Sequence, residues 1–135
     1  MASTGLALHL HSGIPVVDLE GEWDETTDGL LAETIRCLER AGHFEIIVNI
    51  SRAARIPLLD RSRLEALERL AASVRAHCGH LDVVAQGEQI EAYLRRKAQS
   101  LMRWATSEEQ AICRIKGIPM MTGGCKVPAR LIAGS

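Results

Sequence analysis

The chain has 135 residues and a formal net charge of −1, with 47% hydrophobic, 24% charged and 3% aromatic residues. That length suits one domain with one core, and the composition is that of a globular protein, far from disordered or collagen-like extremes. A near-zero charge draws the molecule to neither nucleic acid nor an anionic membrane, and so few aromatics leave no platform for stacked bases, so nucleic acid is not an expected partner.

From the N-terminus, "LALHLH" (Leu6–His11) alternates apolar and polar residues with period two, the pattern of a half-exposed strand. Ser12-Gly13 supplies turn chemistry and "IPVVDLEGEW" resumes strand character, so the two predict a hairpin. "DETTDGLLAETIRCLERAGH" predicts a helix with an inward stripe of Leu30, Leu31, Ile35 and Leu38, acids in the first turn and Gly42 as its stop. "FEIIVNI" (Phe44–Ile50) reads as a buried central strand.

A second helix is expected from about Ser62 to His77, with Leu64, Leu67, Leu70 or Ala71, and Val74 inward and Gly79 after its end. "LDVVA" (Leu81–Ala85) predicts another buried strand, and "EQIEAYLRRKA" a third helix with Ile90, Tyr93 and Leu94 inward. "LMRWAT" predicts a last short strand, and "SEEQAICRI" a closing helix with Ser107 as N-cap. The order β-β-α-β-α-β-α-β-α predicts an α/β domain over residues 1–116: a mixed, mostly parallel sheet with covering helices and an antiparallel edge hairpin. Residues 117–135, "GIPMMTGGCKVPARLIAGS", are rich in Gly and Pro without periodicity and read as a tail.

Several chemistries find no pattern to carry them. The acidic run "EGEWDETTD" lacks the spacing of a calcium loop and fits the positive end of the following helix. Cysteines at 37, 78, 113 and 125 include no C-x-x-C pair, which argues against a zinc framework or a disulfide scaffold. Cys37, Cys78 and Cys113 fall in helix patterns as small core or flank residues. His77 and His80 beside Cys78 have no second ligand pair, and His9 and His11, facing one way from a strand, are two ligands only, so no metal and no cofactor is assigned. There is no G-x-S-x-G elbow, P-loop or G-x-G-x-x-G, and the expected class is non-enzymatic. The opening "MASTGLALHL" lacks the charge and long apolar stretch of an export signal, and no apolar run reaches bilayer length, so the expected location is cytoplasmic.

The densest constellation is "IPLLDRSRLEALERL" (Ile56–Leu70). Arg52, Arg55, Arg61 and Arg63 lie within twelve positions where a strand hands over to a helix. Such junctions sit at the carboxyl ends of parallel strands, where open α/β sheets bind ligands, and helix N-termini attract anions. The arginines read equally as an anion or partner site and as a solvated charged surface, with Arg61 and Arg63 expected to be exposed. Ser62 and Glu65 form S-x-x-E, a capping box, and Asp60 is a second N-cap candidate. Ser62 therefore reads as a helix cap, or as a phosphorylation site whose phosphate meets the helix dipole and flanking guanidiniums.

These residues resemble the STAS domain, the fold of bacterial anti-sigma factor antagonists. That family places an L-x-G-E-x-D strand before the first helix, and Val17, Leu19, Gly21, Glu22 and Asp24 fit it with Trp23 in the apolar slot. Asn49 and Ser51 approximate the D-x-S that ends the family's central strand, and "DRSRL" (Asp60–Leu64) aligns with its D-S-S-G-L. Asp60, Ser62 and Leu64 match; Arg61 and Arg63 depart from it, Arg63 replacing a glycine. The likeness spans roughly residues 6–115. It implies a regulatory module that binds an anti-sigma factor or related serine kinase-like regulator in a partner switch, with Ser62 at the phosphorylated position. The same fold implies, as an alternative, a STAS subunit of a transporter or sensory complex, and the arginine loop a sensor of small anions or nucleotides.

Overall fold

Two strands with opposite sets of side chains on their two faces open the chain: β1 (Gly5–His11) and β2 (Ile14–Glu22) pair antiparallel, with His9 opposite Val16 and His11 opposite Ile14. The turn between them uses Ser12 at φ 55° and Gly13 at φ 83°, the two successive positive φ angles that match the right-handed twist of a hairpin. The computed structural model describes residues 5–54, 61–88, 90, 91 and 102–118.

β3 (Glu45–Ala54), β4 (His80–Val84) and β5 (Met102–Ala105) follow, each parallel to its predecessor, in the sheet order β1-β2-β3-β4-β5. The expected α/β class, mixed sheet and edge hairpin are all present. β3 runs four residues beyond the predicted Ile50, because Arg52–Ala54 continue to pair with Glu20–Glu22 after a register shift at Leu19.

α1 (Glu25–Arg40) starts on Asp24, whose side chain accepts from Thr27 N–H at 3.0 Å. Its buried seam is Thr27, Leu31, Ile35 and Leu38. Leu30, expected inward, is 50% exposed: it lies about 100° around the helix from Leu31, and the seam already begins at Thr27. α2 (Arg61–Arg75) buries Leu64, Leu67, Ala71 and Val74. The chain leaves it through Cys78, which takes the left-handed conformation at φ 64°. Gly79 serves a different purpose from the expected stop. A Cβ there would lie 1.9 Å from Phe44 O, the carbonyl that accepts from His80 N–H as β3 and β4 come together.

A helical turn opens at Gly87, with Ile90 N–H donating to Gln86 O at 3.1 Å; most of the predicted third helix, including Tyr93 and Leu94, lies outside the described residues, as does the tail from 119. α3 (Glu108–Lys116) is capped by Ser107, as expected, and ends at Gly117 in the left-handed conformation.

Strand alternation divides the core. One face, with Val17, Leu19, Ile46, Val48, Ile50, Leu81 and Val83, packs under α1 and α2. The other, with Ile14, Val16, Ile47, Val84 and Ala105, packs against Ala111 and Ile112 of α3. No helix among the described residues is long and apolar enough to cross a membrane.

Candidate functional site

The parallel strands place the carboxyl end of β3 and the start of α2 at one edge of the sheet, where sequence reasoning put the arginine-serine site. Arg52 is exposed there and meets Glu20 of β2 at 3.3 Å, both side chains well over half exposed. Arg55 and Asp60 lie outside the described residues. α2 is already helical at Arg61, so Ser62 falls inside its first turn and the expected cap at Ser62 gives way to a start one residue earlier. Nothing in that first turn is acidic, whereas α1 has Glu25 and Asp28 and α3 has Glu108 and Glu109. The described first turn of α2 thus carries none of the acidic side chains found in the first turns of the other two helices.

Arg63 corrects an expectation. Its side chain is 15% exposed and turns back toward α1: Nε donates to Trp23 O at 3.2 Å and Nη1 to Asp28 Oδ2 at 2.9 Å. Asp28 Oδ1 accepts from the indole of Trp23 at 2.5 Å, so this carboxylate ties the buried tryptophan to the arginine. The reason is geometric. Arg63 lies one position before Leu64 of the inward stripe, and the α1–α2 seam offers a carboxylate and a carbonyl matched to the guanidinium fork. An arginine in a motif otherwise read as surface becomes a clasp between two helices.

Behind this edge, Asn49 organises the end of β3. Its Oδ1 accepts from Ser51 N–H at 3.0 Å and Ser51 Oγ at 2.6 Å, and its amide donates to Glu108 Oε2 at 2.7 Å. Gln86, just past β4, donates to Ser51 O at 3.2 Å. The N-x-S pair in "NIS" therefore fixes the backbone immediately before Arg52 and links it to α3.

Two polar groupings flank α3 that sequence reasoning did not assemble. In one, Asp18, Glu108, His9 and His11 converge from β2, α3 and β1. Burial and the neighbouring Glu108 charge raise the Asp18 carboxyl above its usual range. Burial pushes Glu108 upward too, but hydrogen bonds from Asn49, His11 and His9 outweigh it and leave that carboxyl low. In the other, fully buried Asp82 accepts from Arg103 Nε and Nη2 at 3.0 and 2.8 Å, and Arg114 approaches at 3.5 Å. Burial raises its carboxyl despite both guanidiniums. The residues of each grouping lie far apart in the chain, and only their alternation in strand and helix hinted at a shared face.

The remaining expectations resolve simply. Asp24 and Asp28 act on α1 as acids at its positive end. Cys37 and Cys78 are exposed and Cys113 half-buried, so these are flank positions, outside the core. His77 faces Ser73 O at 3.2 Å and stacks on Phe44 at 4.6 Å, in keeping with a helix-end role.

No protein-family profile matches the chain, and no curated protein sequence matches it. Among solved structures it is similar to an anti-sigma factor antagonist from Mycobacterium paratuberculosis, with 18% identity and a TM-score of 0.69 over 84% of this chain and 95% of that one. It is also similar to the anti-sigma factor antagonist SpoIIAA in its unphosphorylated form, with 19% identity and a TM-score of 0.63 over 86% of this chain and 100% of that one. The chain has a STAS-like fold, that of anti-sigma factor antagonists.

Proposed function

We propose that this protein is a non-enzymatic regulatory module that binds a protein partner, an anti-sigma factor or related serine kinase-like regulator, in the cytoplasm. The observation that carries the reading is the likeness in fold to two anti-sigma factor antagonists over more than four-fifths of the chain. The contact surface is the edge from Arg52 through Arg55 and Asp60 to Arg61 and Ser62, with Arg63 holding that edge against α1 rather than meeting the partner. Ser62 is the regulatory position. A phosphate there adds roughly two negative charges at a helix start that has no acid in its first turn.

The test is capture of a serine kinase-like anti-sigma factor from the native host, followed by titration of the captured protein. Ser62→Asp should fold as wild type, because an acid in the first turn suits the dipole. It should change partner affinity by roughly tenfold or more, as expected from a new charge at an interface centre. Arg52→Ala combined with Arg61→Ala should weaken capture with little change in melting temperature. A transporter or sensory subunit captured instead would support the alternative role for the fold, and unchanged affinity in Ser62→Asp would leave Ser62 without a switching role.

A further inference from the structure

We propose that His9, Asp18 and Glu108, with His11 beside them, form a binding site for a divalent transition-metal ion that fastens α3 to the edge hairpin. The ligand atoms of His9, Asp18 and Glu108 all lie within 4.8 Å of one another. His9 Nδ1 is 3.0 Å from Asp18 Oδ2 and His9 Nε2 is 3.5 Å from Glu108 Oε1, while His11 Nδ1 is 3.1 Å from the same Oε1. Donors around a tetrahedral zinc ion, with bonds of about 2.0–2.2 Å, stand roughly 3.4 Å apart. His9 can give the ion only one of its two nitrogens, so binding draws that nitrogen and the two carboxylate oxygens, which lie within 4.8 Å of one another, in to this spacing through rotation of the His9 ring.

Hydrogen-bond arithmetic points the same way. A neutral imidazole has one N–H and one lone pair, yet both nitrogens of His9 face carboxylate oxygens. In the neutral ring one lone pair faces another, and the two carboxylates share a partly buried space in which Arg52, exposed and paired with Glu20, acts on Asp18 only through its charge. A metal ion held by one nitrogen removes both conflicts, as a second proton on the ring would, and the two are separated by the zinc titration below. The group has other features of a built site. Asn49 donates to Glu108 Oε2 at 2.7 Å, which turns Oε1 toward the two histidines; metal-binding carboxylates are commonly oriented by such outer hydrogen bonds. Asp18 and Glu108 are 13% and 20% exposed while His9 is 43% exposed, so the carboxylates are held and the imidazole leaves an entry path from solvent. Imidazole with carboxylate suits zinc, cobalt, nickel, manganese or iron(II), and the absence of a thiolate disfavours copper(I). The inference is independent of the partner-binding edge and stands whether or not that reading does.

Zinc titrated calorimetrically into the full chain at pH 7.5 should bind one ion per chain with micromolar or tighter affinity and raise the melting temperature. His9→Ala, Asp18→Asn and Glu108→Gln should each weaken binding by roughly tenfold or more, by analogy with losses seen on disturbing metal sites. Cobalt(II) should give a visible spectrum without a thiolate charge-transfer band. The triple variant His77→Ala, Cys78→Ser, His80→Ala removes a second group of neighbouring nitrogen and sulfur donors and should bind zinc as wild type does. If Asp18→Asn fails to fold, the exposed His9→Ala still decides, through loss of the zinc-induced rise in melting temperature. Absence of saturable one-to-one binding overturns the site, as does binding that survives His9→Ala and Glu108→Gln but is lost in the triple variant. Stability that responds to pH through this group while zinc does nothing also overturns it, and shows protons to be the cations that the carboxylates hold.

Discussion

The two faces of the sheet are built on different principles. Under α1 and α2, every strand contributes apolar side chains, and among the described residues eighteen buried ones from Val17 to Met102 form one continuous core. Among the described residues, the opposite face is covered by α3, a helix of nine residues. It buries a smaller apolar patch, with Ile14, Val16, Ile47, Val84 and Ala105 against Ala111 and Ile112. The strips on either side must satisfy themselves with polar partners: His9, Asp18, Asn49 and Glu108 toward β1, and Asp82, Arg103 and Arg114 toward β5. The first face is an apolar core; the second combines a small apolar patch with one fully buried carboxylate, Asp82, and two partly buried ones, Asp18 and Glu108.

The contrast predicts its own largest effect at Leu67, which is fully buried beneath α2. Leu67→Ala should cost about 2–5 kcal/mol in denaturant unfolding, through lost burial and a residual cavity. A loss under 1 kcal/mol would mean that this face is not the one that holds the fold. Next is the clasp between α1 and α2. Arg63→Ala should cost about 1–2 kcal/mol, after allowing for partial exposure of the pair, since it strips a charged donor from Asp28 and from Trp23 O. Arg63→Lys should recover little, because an ammonium cannot reproduce the two-point fork. Full recovery by lysine would reduce the clasp to simple charge attraction.

On the polar face, Asp82→Asn should cost only about 1 kcal/mol. Burial already opposes the Asp82 charge strongly enough to raise its pKa beside two arginines, so the ion pair repays its desolvation incompletely. A cost equal to that of Leu67→Ala would erase the distinction between the faces.

The smallest effect is expected at Asp24. Hydrogen bonds from Thr27 N–H and Oγ1 hold its carboxyl below the ordinary 3.8, so the native state binds this proton less readily than the unfolded chain does. Its contribution is then complete above pH 3.8 and declines as pH falls through the lower native value. The stability gap between wild type and Asp24→Ala should be constant near neutrality and narrow under acid, as measured by thermal unfolding across pH. A gap that widens in acid would contradict the capping geometry.

Much of the fold was legible because its signals are local. Ser12-Gly13, the period-two run of "LALHLH", the Ser107 cap and the stripe of Leu64, Leu67, Ala71 and Val74 all act between residues close in the chain. The local signals had limits even so. Leu30 had the right residue type and lay one step off the seam. α2 starts at Arg61, one residue before the expected Ser62, so Ser62 lies inside the first turn instead of capping it.

The sequence by itself determined the elements, their order and the strand alternation, because backbone preference and hydrophobic period are set by neighbours a few positions apart. Only the tertiary structure decided that Arg63 turns inward to Asp28, since nothing in "DRSRL" says which groups α1 will present across the seam. It alone placed His11 beside Glu108, 97 positions away, and Asn49 against the same carboxylate. Such meetings depend on strand register and on the side of the sheet that α3 covers, and those follow from how the whole set of apolar faces can be buried at once.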